Sequence, residues 1–121
     1  MKVMVVDDEV EIIELVENML SPEGIKVIEA TSGKECLQKL REERPDFIFL
    51  DIMMPGMDGW ETLKKIKENP KFRDIPVAMF TVKPLTSKTL KRKEIDDIVD
   101  YVTKPFSKED LLEVLRQVAD I

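Results

Sequence analysis

The chain has 121 residues, of which 43% are hydrophobic and 36% charged, as is typical of one globular domain. A net charge of −6 disfavours a nucleic-acid-binding surface, and no apolar run approaches the roughly 20 residues that a membrane helix needs. With one cysteine and no histidine, the sequence excludes an internal disulfide and all histidine-based metal sites or catalytic bases, and we expect a cytoplasmic protein.

Short apolar runs alternate with helix-like segments along the chain. Most runs are continuous rather than alternating, which is typical of strands that are covered on both faces, as in parallel sheets. The predicted strands are Lys2–Asp7, Lys26–Ala30, Phe47–Asp51, Val77–Val82 and Tyr101–Thr103. The pattern predicts one α/β domain of the (βα)5 type over residues 1–121, with a parallel sheet between two layers of helices.

Four of the five predicted helices begin at a capping signal, an oxygen-bearing side chain followed three residues later by an acid. Their expected N-cap residues are Asp8, Ser32, Asp58 and Ser107. The fourth helix, roughly Ser87–Asp96, has few apolar anchors, which makes it a candidate for motion. The stripes expected to face the core are Ile12, Ile13, Val16, Met19 and Leu20 in the first helix, Leu63 and Ile66 in the third, and Leu111, Leu115 and Val118 in the last.

Charged side chains stand at the carboxyl ends of three of the predicted strands. Asp7 and Asp8 follow the first run, Asp51 ends the third, and Lys104 closes the last. If these strands are parallel neighbours, their carboxyl ends meet in one crevice, where ligands bind in open α/β sheets. Three carboxylates facing one lysine are costly to gather unless a divalent cation lies among them. This arrangement indicates Mg²⁺ and phosphate chemistry.

Four motifs, in this order, resemble the receiver domain of two-component response regulators. They are Val5–Glu9, Asp51–Gly59, Thr81 and Asp100–Phe106, and the resemblance covers essentially the whole chain. It implies a flavodoxin-like three-layer sandwich with strand order 2-1-3-4-5, as in single-domain chemotaxis response regulators. It also implies that the Lys104–Pro105 peptide bond is cis.

The resemblance implies an acceptor and a metal site among these residues. Asp51 would be the phosphoryl acceptor, whose carboxylate attacks the phosphorus of a phosphohistidine on a partner. Asp8, Asp51 and the backbone carbonyl of Met53 would bind Mg²⁺ directly, and Asp7 would act mainly through water. The alternative role for Asp8 is that of a helix cap, and the two roles are compatible.

Three further residues would respond to the phosphoryl group. By resemblance, Lys104 would pair with Asp51 and then with a phosphoryl oxygen. Thr81 would donate a hydrogen bond to the same group, and Tyr101 would swing inward behind it. The alternatives are a solvated lysine, a β-branched strand residue and a half-buried tyrosine with a hydrated hydroxyl.

The sequence departs from the family pattern at three positions. Ile98 and Val99 stand where the family usually has a small pair, which puts the end of the fourth helix in doubt. Val82 follows Thr81 where the family favours alanine or glycine. We hypothesise that this side chain hinders the hydrolytic water and prolongs the phosphorylated state.

The resemblance implies a switch in a phosphorelay rather than an enzyme, with slow self-phosphorylation from small donors and slow self-dephosphorylation. A histidine kinase or phosphotransfer protein would donate the phosphoryl group. The surface formed by the fourth helix, the fifth strand and the last helix would then change and regulate a protein target. No nucleic acid or membrane is expected as a partner, and the domain would be a monomer or a phosphorylation-dependent dimer. The alternative is a receiver excised from a longer regulator.

Two rivals come from other functional classes. A Mg²⁺-dependent aspartyl phosphatase usually has a second aspartate two residues after its nucleophile, where this chain has Met53. A flavodoxin that binds FMN needs a phosphate loop after the first strand, where Asp7, Asp8 and Glu9 would repel the phosphate. Both rivals are disfavoured.

Overall fold

The computed structural model describes residues 1–82 and 96–121 of the chain. Its five strands are all parallel and form one sheet in the order β2-β1-β3-β4-β5. The bounds are β1 Lys2–Val6, β2 Lys26–Ala30, β3 Phe47–Asp51, β4 Val77–Thr81 and β5 Asp100–Thr103. The predicted fold class and strand order are confirmed, and the strand ends differ from the prediction by one residue in β1, β4 and β5.

Helices cover both faces of this sheet. The bounds are α1 Val10–Leu20, α2 Gly33–Glu42, α3 Gly59–Glu68 and the C-terminal helix Lys108–Arg116, with a short 3-10 turn at Ser21–Glu23. Most of the predicted fourth helix lies outside the described residues. Among the helices of the described part, none is long and apolar enough to cross a membrane.

Three of the four predicted N-caps are confirmed. Ser32 accepts a hydrogen bond from the N–H of Glu35 and begins α2, whereas Asp58 accepts from the N–H of Glu61 and begins α3. At the C-terminal helix, Ser107 and Asp110 form a complete capping box, each side chain accepting from the other's backbone N–H. Each bond satisfies an N–H that the helix itself leaves unpaired.

The predicted cap at Asp8 is wrong. The N-cap of α1 is Glu9, which makes no side-chain capping bond. The carboxylate of Asp7 instead accepts from the N–H of Glu9 at 2.9 Å. The helix therefore starts one residue later than the capping signal indicated, and the Asp8 side chain is exposed.

Two apolar clusters form the core, one on each side of the sheet. The first contains Ile13, Val16 and Leu20 of α1 with Leu111 and Leu115 of the C-terminal helix. The second contains Cys36 and Leu40 of α2 with Trp60, Leu63 and Ile66 of α3. Ile12 and Met19 pack at the margin of the first cluster. The prediction for Val118 is wrong because the helix ends at Arg116, leaving that side chain 42% exposed.

Candidate functional site

The sheet register brings the predicted site residues to one edge. Asp51 is the last residue of β3 and pairs in register with Phe80, the residue before Thr81. The N–H of Lys104 donates to the carbonyl of Thr81 at 2.7 Å, which ties the end of β5 to the end of β4. The peptide bond between Lys104 and Pro105 is cis, as the resemblance implied.

Lys104 bridges two buried carboxylates in this crevice. Its Nζ lies 2.6 Å from Oδ2 of Asp7 and 3.3 Å from Oδ1 of Asp51. The Lys104 side chain is only 8% exposed, and those of Asp7 and Asp51 are 0% and 7% exposed. Because water is nearly excluded, these charges depend on one another for stabilisation.

Asp7 is a closer partner of Lys104 than Asp51 is, which sequence reasoning missed. The local sequence does not indicate which of Asp7 and Asp8 contacts Lys104, since the two are chemically identical neighbours. Their environments differ because Asp7 follows β1 directly, with its N–H donating to the carbonyl of Ala30 on β2 at 3.1 Å, whereas Asp8 lies in the bend before α1. Asp7 points into the crevice and Asp8 is exposed.

The pKa of the Asp51 carboxyl is raised well above its ordinary value. Burial raises its pKa to about 6, the Asp7 carboxylate adds to the increase, and the attraction of Lys104 offsets only part of it. Burial alone would lower the pKa of Lys104, but its hydrogen bond to Asp7 and the charge of Asp51 outweigh burial and raise it. The site is thus short of positive charge when only Lys104 supplies it.

The same carboxylates fit a divalent cation. One oxygen each from Asp7, Asp8 and Asp51 can be chosen so that all three lie within 4.8 Å of one another. Ligands that surround one Mg²⁺ at about 2.1 Å lie roughly 3–4 Å apart, so small side-chain movements would suffice. Carboxylate oxygens are the ligands that Mg²⁺ prefers, and the donor set therefore suits this ion.

Two glycines fix the loop that follows Asp51. A Cβ at Gly59 would lie 2.3 Å from the carbonyl oxygen of Asp51, so only glycine permits α3 to start this close to β3. The N–H of Gly59 also donates to the carbonyl of Ile52 at 2.9 Å. Gly56 has a φ of 75°, in the left-handed region that glycine favours. Met53 is 63% exposed in this loop.

An aromatic stack supports Lys104 from below, and sequence reasoning missed it. The Phe80 ring lies between those of Phe49 and Phe106, with centroids 5.1 Å and 4.9 Å away and interplanar angles of 6° and 14°. The Lys104 Nζ lies 5.8 Å from the Phe80 centroid, within range of a cation–π attraction. The only sequence signal was a phenylalanine on each side of the predicted site, at positions 80 and 106.

Tyr101 lies apart from the carboxylates, on β5, the second strand from β3. Its side chain packs at the margin of the α2/α3 core cluster, and its ring meets Trp60 edge-on with centroids 6.3 Å apart. Thr81 is half-buried at the end of β4. The structure therefore brings together Asp7, Asp8, Asp51 and Lys104, with Thr81 at the same edge, whereas Tyr101 lies farther back along β5, in register with Met79.

Comparison with known proteins agrees with this geometry. A sequence model of the response regulator receiver domain matches residues 3–116. Protein PilG of Pseudomonas aeruginosa is 42% identical over 117 residues, which cover 96% of this chain and 85% of PilG.

Two solved structures extend the comparison to the fold. The chemotaxis protein CheY4 of Vibrio cholerae has a TM-score of 0.88 and 31% identity, with 98% of each chain covered. The N-terminal domain of a response regulator receiver protein from Methanoculleus marisnigri has a TM-score of 0.81 and 43% identity, covering 99% of this chain and 97% of that one.

Proposed function

Because this chain belongs to the response regulator receiver family of two-component systems, we propose that it is a phosphorylation-operated switch with Asp51 as phosphoryl acceptor. The observation that carries the proposal is the buried pair of carboxylates, at the carboxyl ends of β1 and β3, that Lys104 bridges from the end of β5. We also propose that residues 1–121 form one receiver domain. Receiver domains act as signalling switches and do not turn over a substrate as enzymes do.

The Asp51 carboxylate would be the nucleophile. One of its oxygens attacks the phosphorus of a phosphohistidine on a histidine kinase or phosphotransfer protein. The phosphorus–nitrogen bond breaks as the phosphorus–oxygen bond forms, and the imidazole leaves with the bonding electrons. Support comes from the position of Asp51 at the carboxyl end of β3, followed by a loop whose path depends on the positive φ of Gly56 and the close approach at Gly59.

Asp8, Asp51 and the carbonyl of Met53 would hold Mg²⁺, with Asp7 in a supporting position. When bound, this ion supplies positive charge that lets two anions, carboxylate and phosphate, approach each other. The chain's own contribution is Lys104, whose ammonium would move from Asp51 to an oxygen of the transferred group. The raised pKa of Asp51 supports a need for positive charge beyond that of Lys104.

Thr81 and Tyr101 would connect the phosphoryl group to a binding surface. The hydroxyl of Thr81 would donate to a phosphoryl oxygen, and Tyr101 would move inward behind it. The surface of the predicted fourth helix, β5 and the C-terminal helix would then favour a second conformation that a protein target binds. Phosphorylation shifts this equilibrium only by its different stabilisation of the two states, about 1–3 kcal/mol.

The phosphatase alternative gains no support from the structure. Its general acid would stand at position 53, where Met53 is largely exposed and cannot donate a proton. Slow self-dephosphorylation is instead expected, and it would limit the lifetime of the signal. We propose a cytoplasmic domain with a histidine kinase or phosphotransfer partner and a protein target.

The test is intact-mass measurement after incubation with Mg²⁺ and acetyl phosphate. We expect the mass of one phosphoryl group on the wild-type protein and none on Asp51→Asn. Asp120→Asn, a change at an exposed acid far along the chain, is the matched control and should be phosphorylated like the wild type. A folded wild-type protein that gains no phosphoryl group from any donor would refute the proposal.

A further inference from the structure

A groove of about 470 Å³ lies between α2 and α3. These helices cover one face of the sheet, whereas α1 and the C-terminal helix cover the other. The groove therefore lies in a different layer from the C-terminal helix, which packs against β5. Its walls are formed by Lys34, Leu37, Gln38, Arg41, Met57 and Lys65.

Three cations converge on this groove in a chain whose net charge is −6. Lys34, Arg41 and Lys65 are all exposed, and within residues 1–82 and 96–121 no ion pair is formed by any of them. Some other exposed cations are paired, since Lys26 lies 2.9 Å from Glu43 and Lys108 lies 3.3 Å from Glu23. The positive charge of the groove is therefore not neutralised by the chain's own carboxylates in the described part.

The groove also has an apolar component. Leu37 and Met57 are half-buried and line the groove together with the three cations. Lys34, Gln38 and Arg41 are spaced four and three residues apart, so they follow one side of α2. Apolar side chains flanked by cations are complementary to a short segment that has apolar side chains flanked by carboxylates.

We propose that this groove is a docking surface for an acidic amphipathic segment of a partner protein. An extended polyanion such as a nucleic acid fits less well, because beyond the groove it would meet a protein of negative net charge. The surface does not include the acceptor Asp51 or the predicted switch surface. The inference therefore goes beyond the proposed function and stands without phosphorylation.

The test is an NMR titration of the full chain with a synthetic helical peptide that has glutamates on both sides of two leucines. We expect amide shifts concentrated in residues 34–41 and 57–65, weakening as salt is added. Lys65→Glu should weaken the peptide's affinity roughly threefold to fivefold or more, in line with one or two exposed ion pairs.

Lys64→Glu is the matched control. Lys64 is the exposed neighbour of Lys65 on α3 and does not line the groove, so the two variants have the same net charge and should differ in affinity. Leu37→Ser should also weaken binding, because it removes apolar contact without a change of charge.

Three results would overturn the proposal. They are the absence of shifts in the groove at millimolar peptide, equal weakening by the two lysine variants, and tighter binding of a single-stranded oligonucleotide to the same residues. Equal binding of a peptide of the same composition with scrambled order would also contradict it, because the amphipathic pattern would then be irrelevant.

Discussion

Asp51 is held in the folded protein beside a second buried carboxylate, with one ammonium shared between them. Its pKa of about 6 lies above its ordinary value of 3.8 because burial and Asp7 outweigh Lys104. A carboxyl whose folded pKa is raised destabilises the fold progressively as pH rises from the unfolded to the folded value. We therefore expect the Asp51 carboxylate to destabilise the fold at neutral pH when no metal is bound.

Asp51→Asn should accordingly stabilise the metal-free protein. We expect its free energy of unfolding to exceed that of the wild type by about 1–2 kcal/mol at pH 7.5, because one buried charge is lost. The difference should shrink as pH falls from about 6 towards 4, where the wild-type carboxyl becomes protonated. Urea denaturation at several pH values measures this, and a less stable Asp51→Asn at pH 7.5 would contradict it.

Lys104→Met should have the opposite effect. Removing the ammonium leaves Asp7 and Asp51 buried and unmatched, and we expect a loss of about 2–4 kcal/mol without metal at neutral pH. The double variant with Asp51→Asn should be more stable than Lys104→Met alone, since one of the two charges is then absent. Denaturation of the four proteins completes a double-mutant cycle, and additive effects would show that the pair is not coupled.

Our hypothesis is that the Val82 side chain prolongs the lifetime of the phosphorylated state. The side chain is 59% exposed, so Val82→Ala should not disturb the core. If Val82 hinders the hydrolytic water beside Thr81, the alanine variant should lose its phosphoryl group roughly threefold faster, a barrier change below 1 kcal/mol. The decay of phosphorylated protein after donor removal measures the rate, and an equal or slower decay in the variant would exclude this role.

At the scale of the elements, the helix starts show what a local pattern predicts. Ser32, Asp58 and Ser107 cap their helices because each side chain needs only the N–H three residues ahead. The same signal at Asp8 failed because α1 begins at Val10, with Glu9 as its N-cap. A capping pattern alone does not show at which of several consecutive acidic residues the helix begins.

The N-caps Ser107 and Glu9 allow the contribution of a capping bond to stability to be measured, because only Ser107 makes such a bond. Ser107→Ala removes a capping bond of 3.1 Å to Asp110 and should reduce the free energy of unfolding by about 1 kcal/mol. Glu9→Ala changes an N-cap that makes no side-chain bond and should alter stability by less than about 0.5 kcal/mol. Urea denaturation of both variants checks the difference, and equal losses would show that the capping box contributes nothing.

At the scale of the whole molecule, Mg²⁺ should stabilise the fold through its carboxylates. A ligand that binds only the folded state at 100 times its Kd raises the free energy of unfolding by about 2.7 kcal/mol. We expect the melting temperature of the wild type to rise with Mg²⁺ concentration and that of Asp8→Asn to rise much less. Glu11→Gln changes an exposed acid outside the cluster and should respond like the wild type. Equal responses of all three proteins would place the ion elsewhere.

Most of the fold was predictable because the alternation of apolar strands and amphipathic helices is repeated along the chain. The strand order came from resemblance, since the apolar pattern alone fits several orders. The gathering of Asp51 and Lys104 was expected from the carboxyl ends of parallel strands. The closer contact of Lys104 with Asp7 was not expected, because the spacing of residues along the chain does not indicate how their side chains are oriented.

The phenyl ring beneath Lys104 has a practical consequence. Protons held over the face of an aromatic ring are magnetically shielded, and the Lys104 ammonium lies over that of Phe80. The methylene resonances next to this ammonium should therefore be displaced upfield in the resting protein and return when the side chain swings towards an incoming anion. We therefore expect a proton spectrum of the unlabelled domain to report events at the crevice.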